Sequence, residues 1–94
     1  IITNPPYKNA LEFAEKAVEL SRYKVALLLK LNFLEGQARR KFFEKTPPIR
    51  VWVFSQRLSF MKDGKPHIGG GGMMALAWFV WEQGNNEQPR IGWI

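Results

Sequence analysis

An α/β domain, with parallel strands joined by helices and one antiparallel strand near the sheet edge, is the fold class this sequence predicts. Three observations predict it. Ile1-Ile2-Thr3 runs into Asn4-Pro5-Pro6-Tyr7, an apolar strand end followed by a rigid turn. A helical repeat and then the uninterrupted apolar run Val25-Ala26-Leu27-Leu28-Leu29 follow, which together make a strand–helix–strand unit. The apolar run from Met73 to Glu82 then follows the strand at Val51–Phe54 through a loop and not a helix, so antiparallel pairing is expected.

The elements follow in order. Asn9 has the chemistry of an N-cap, and Glu12 three residues later completes a capping-box-like pair. The helix expected from Ala10 to Arg22 has Ala10, Phe13, Ala14, Ala17 and Leu20 on one stripe, with Leu11 and Val18 beside it. The second strand, Lys24 to Leu31, is apolar at successive positions and so is expected to be covered by helices on both faces. Asn32 and Phe33 follow at its carboxyl end, where open α/β sheets bind ligands. A shorter helix is expected from Glu35 to Lys45, with Arg39, Arg40, Lys41 and Lys45 on its outer face and Pro47-Pro48 ending it.

A third strand is expected at Arg50–Ser55, followed by a long loop from Gln56 to Gly72. That loop carries Arg57, Lys62, Lys65, the sole histidine His67, and Gly69 to Gly72. The glycine run is not preceded by a strand or followed by Gly-Lys-Ser/Thr, so it reads as flexible chain and not as a phosphate-binding loop. His67 has no companion at metal-ligand spacing. Gly84-Asn85-Asn86 turns the chain, and Arg90–Ile94 is a candidate edge strand.

Composition narrows the function classes. A 94-residue chain that is 46% hydrophobic supports a single small globular domain, residues 1–94. The formal net charge of +6 favours a polyanionic partner. With no cysteine, disulfides and thiolate metal sites are excluded. No apolar run reaches the ~20 residues of a membrane span, so a soluble, cytoplasmic protein is expected.

The strongest chemical signal is Asn4-Pro5-Pro6-Tyr7. Neither proline has an N–H, so the turn offers acceptors: the Asn4 amide oxygen and backbone carbonyls such as that of Pro5. Two such oxygens can each accept one N–H of an amine conjugated to a flat ring, and Tyr7 supplies an aromatic face. The tetrapeptide resembles the Asn/Asp/Ser-Pro-Pro-Tyr/Phe motif of S-adenosylmethionine-dependent amino-methyltransferases, above all the adenine-N6 DNA methyltransferases. The stretches Lys8-Asn9-Ala10-Leu11-Glu12-Phe13-Ala14 and Leu31-Asn32-Phe33-Leu34-Glu35-Gly36 are similar to phage and prophage members of that group.

The resemblance implies a Rossmann-like class I methyltransferase sheet of which this chain is the second, catalytic half. It implies methyl transfer from S-adenosylmethionine to adenine N6 in DNA, with Asn4, Pro5, Pro6 and Tyr7 as catalytic residues. Asn32 and Phe33 are then candidate pocket residues, and Lys8, Arg57, Lys62 and Lys65 candidate DNA contacts. The departure from the family is the absence of its glycine-rich cofactor loop and of the acidic residue after its second strand. A partial domain, inactive alone, is therefore expected. The alternatives are a fragment that methylates RNA or a protein glutamine, whose amide nitrogen is also planar, or a basic remnant that oligomerises through an exposed sheet edge.

Overall fold

The computed structural model describes residues 1–59, 61–62, 65–66 and 73–94, and the side chains outside 59–72. Five strands form one mixed sheet in the order β1-β2-β8-β3-β9. They are β1 (Ile2–Thr3), β2 (Lys24–Lys30), β3 (Arg50–Val53), β8 (Leu76–Glu82) and β9 (Arg90–Trp93). Among the described residues the two α-helices are α1 (Ala10–Leu20) and α2 (Gln37–Lys45).

The β1–α1–β2 unit forms as expected, with Ile2 opposite Ala26 and Thr3 opposite Leu27 in parallel register. β8 is antiparallel to β3, as expected, and equally antiparallel to β2, so the antiparallel strand expected near the sheet edge is instead the central one of the five, because β9 pairs on the far side of β3. The expected carboxyl-terminal edge strand is β9, which pairs parallel to β3.

The cover of the sheet faces differs from expectation as well. The apolar run of β2 predicts cover on both faces, yet burial alternates: Val25, Leu27 and Leu29 are at most 1% exposed, whereas Ala26 and Leu28 are only half-buried. Both helices pack on the same face. Ala10, Ala14 and Ala17 of α1 and Phe42 and Phe43 of α2 join one cluster with Val25, Leu27, Val51 and Phe79. Apolar residues at successive positions therefore record strand propensity and two apolar faces, but not how much cover each face receives.

The helices also differ in detail. α1 ends at Leu20, two residues short of the expectation, and Asn9 occupies the N-cap position without a side-chain cap hydrogen bond. A 3-10 turn at Tyr7–Asn9 leads directly into α1, so the Ala10 N–H is already satisfied by the Tyr7 carbonyl. Phe13 and Leu20 of the expected stripe are exposed, at 37% and 64%, so the stripe that enters the core consists mainly of the three alanines. Small residues on a helix let it approach the sheet closely. α2 begins at Gln37, after Gly36 turns the chain with φ at 112°, a conformation that favours glycine.

The stretch expected to be a loop after β3 holds paired strands. β4 (Leu58–Ser59) pairs antiparallel with β7 (Met73–Met74), and β5 (Met61–Lys62) with β6 (Lys65–Pro66). The run from Met73 to Glu82 is thus two strands: β7 belongs to this arm, and β8 to the main sheet. Phe60, His67 and Gly69 to Gly72 lie outside the described residues.

Candidate functional site

The site develops where β1 and β2 end. Beyond Thr3 the chain enters the two prolines. Pro5 is buried, Pro6 sits at φ −60°, and the 3-10 turn that follows carries Tyr7 inward. Asn4 is exposed, and among the described residues no donor or acceptor of the chain hydrogen-bonds its side chain. Its amide is available to a ligand, as the acceptor reading requires.

Beyond Lys30 a second 3-10 turn, Leu31–Leu34, presents Asn32 to solvent and sends Phe33 into the core at 2% exposure. The Phe33 ring meets Phe43 and Phe79 edge-on, with centroids 5.6 and 5.4 Å away. Phe33 is therefore a core residue and a wall of the site at once, since its ring also carries the Arg39 guanidinium carbon 5.0 Å from its centroid.

Tyr7, Lys30, Asn32, Phe33 and Arg39, together with the buried Ala10 and Leu29, line a cleft of about 160 Å³. Three sequence-predicted residues thus meet here: Tyr7, Asn32 and Phe33. Asn4 and the prolines lie outside the lining, although Tyr7 is only three residues beyond Asn4. Lys8 and Arg57 are exposed and do not line the cleft. Lys62 and Lys65 face each other as backbone partners of β5 and β6, and their side chains lie outside what is described.

Lys30 is not a site residue suggested by the sequence, and Arg39 enters there only as one cation of a basic α2 face that reads first as solvated surface and second as a phosphate contact. Arg39 was expected on the outer face of α2 but is half-buried. Its Nη1 donates to the Asn32 carbonyl at 3.1 Å and to the Glu35 carbonyl at 3.3 Å, which ties the first turn of α2 to the turn after β2. The signal available in sequence was only its distance from Asn32, seven residues across a glycine, and that is too little to draw it inward. Lys30 ends β2, and its Nζ lies over the Tyr7 ring, 5.1 Å from the centroid. One face of Tyr7 therefore carries an ammonium, so a base stacking there must displace it or use the other face. Burial pushes the Tyr7 phenol above the ordinary value of 10.0, and the Tyr7 hydroxyl stays neutral through physiological pH.

No family model, curated protein or solved structure matches the chain. Among the described residues, no helix is long and apolar enough to cross a membrane.

Proposed function

We propose that these residues are the acceptor-holding half of an S-adenosylmethionine-dependent methyltransferase acting on adenine N6 in DNA. The observation that carries this reading is an Asn-Pro-Pro-Tyr turn at the carboxyl end of a parallel strand, with the Asn4 side chain exposed and without a hydrogen bond among the described residues. The strand–helix–strand unit that ends in this turn is consistent with the reading, whereas the antiparallel strand β8 is the central strand of the five and does not lie near an edge as the resemblance implies.

The cleft does not fit the methyl donor. At about 160 Å³ it is well below the ~300–1,000 Å³ of a pocket that encloses a drug-sized ligand, and no glycine-rich turn follows β1. The donor is accordingly not assigned to residues of this chain, whose share of the work is the acceptor. The Asn4 oxygen and a neighbouring backbone carbonyl accept the two N–H groups of the planar amine, which fixes its position and draws the nitrogen towards tetrahedral geometry. A flat ring beside Tyr7 gains stacking of about 1–3 kcal/mol per base, which offsets part of the cost of unstacking it from a duplex. The excess of positive charge, +6, suits the polyanion on which such a base is carried.

The test is methyl incorporation by a protein that contains this segment, offered duplex DNA, RNA and protein in parallel. Label in adenine N6 of DNA, lost on the order of 10²-fold or more in Asn4→Ala, is the expected result. Label in RNA or in glutamine assigns the same turn to another acceptor. Undiminished turnover in Asn4→Ala refutes the role given to this residue.

A second reading rests on a separate observation. The sheet face away from the helices holds Ala26, Leu28, Trp52, Trp78 and Val80, all half-buried, and Ile2 next to it is 79% exposed. Such a face favours self-association, and a basic oligomer without catalysis would use it.

A further inference from the structure

We infer that Lys30 and Arg39 form an anion subsite within the cleft, which takes the phosphate of the nucleotide whose base the Asn4 turn holds. This rests on the acceptor being a nucleotide, and it adds a role for two cations that the acceptor chemistry leaves unused.

The charge around the cleft is unbalanced. Among the described residues, the lining of the cleft includes two cations and no carboxylate. The ion pairs among the described residues, Lys16 with Glu19 and Arg40 with Glu44, involve neither Lys30 nor Arg39. Two cations that line one small cleft would both attract an anion placed in it.

Both cations are also held in place. Arg39 is pinned through Nη1 by two carbonyls and lies against the Phe33 ring, so its orientation is set before any ligand arrives. A guanidinium has five N–H donors, and those that remain on Nη2 and Nε meet no acceptor among the described residues. A planar fork of this kind matches two oxygens of a phosphate. Lys30 rests its ammonium on the Tyr7 ring at the end of a flexible stem, free to follow an incoming oxygen. The size agrees: 160 Å³ admits one substituent of a ligand and not a whole nucleotide. A base beside Tyr7 and a phosphate between Lys30 and Arg39 would share the work of recognition.

Titration of the 94-residue chain with deoxyadenosine, dAMP, deoxyribose 5-phosphate and inorganic phosphate tests this, read by amide and side-chain N–H shifts in NMR. The expected result is that dAMP binds about tenfold or more tighter than deoxyadenosine, as a charge-assisted pair of hydrogen bonds requires. The Arg39 Nε–H resonance should move with dAMP and with both phosphate probes, but not with deoxyadenosine. Lys30→Gln should narrow the ratio of dAMP to deoxyadenosine affinity several-fold. Because Arg39 also pins the turn, Arg39→Gln is read only alongside the wild-type Nε–H shift.

Equal affinity for dAMP and deoxyadenosine, an unmoved Arg39 Nε–H, or a ratio untouched by Lys30→Gln each overturns the subsite, as does failure of every phosphate probe to bind. The base reading is scored separately. If dAMP is no tighter than deoxyribose 5-phosphate, and Asn4→Ala changes neither, the base pocket fails while the anion subsite stands.

Discussion

Phe33→Leu tests the core and the cleft together. The ring is 2% exposed, makes edge-on contacts with Phe43 and Phe79 at 5.6 and 5.4 Å, and supports Arg39 on its face. Leucine keeps most of the apolar volume, so the loss comes chiefly from ring geometry. Each aromatic pair is worth about 0.5–1.5 kcal/mol beyond burial, and a partly exposed cation–π contact about 0.5–1 kcal/mol. The expected destabilisation is therefore about 2–3 kcal/mol, which for a domain of this length lowers Tm by roughly 10–20 °C. Urea denaturation followed by tryptophan fluorescence measures it, with the exposed Phe13→Leu as a control expected to stay within about 0.5 kcal/mol. The Phe33→Leu/Arg39→Ala cycle should show a coupling of about 0.5 kcal/mol or more, because the guanidinium lies against the ring. A Phe33→Leu loss below about 0.5 kcal/mol, or additive single effects, would refute the packing on which the cleft geometry depends.

Three further outcomes follow from the same geometry. Burial raises the Tyr7 phenol above 10.0, so the stability this group contributes is present below the ordinary value and lost as pH rises through the raised one; Tyr7→Phe should remove the higher-pH step of the phenolate absorbance titration and flatten that alkaline loss. A Cβ at Gly92 would overlap the Trp52 ring, so Gly92→Ala forces the indole off β9 and should cost about 1–3 kcal/mol by denaturant titration, whereas no change would mean that the ring does not cover this strand. The chain should sediment as a dimer or larger species that Trp78→Lys, on the half-buried sheet face, returns to monomer; a clean monomer for the unaltered chain removes the self-association reading.

Most of the element order was legible in the residues. The apolar runs at 25–29 and 76–81, the helical repeat from Ala10 and the prolines at 47–48 are local features, and local features survive into the fold because propensity and periodicity act over a few residues. The Asn4 turn was legible for the same reason, since two prolines restrict the chain with no help from distant contacts. The paired arm after β3 was not. Its strands are two residues each, too short for any alternation to register.

Sequence alone determined that this chain builds strand, helix and strand around an acceptor-rich turn. Tertiary structure alone decided that both helices share one face, which leaves the other half-exposed, and that Arg39 turns inward to line the same cleft as Lys30. The physical reason is common to both. Which side of a strand is covered, and which cation of a basic helix meets the sheet, depend on helix placement and on hydrogen bonds to distant carbonyls. Residue identity at those positions does not encode either.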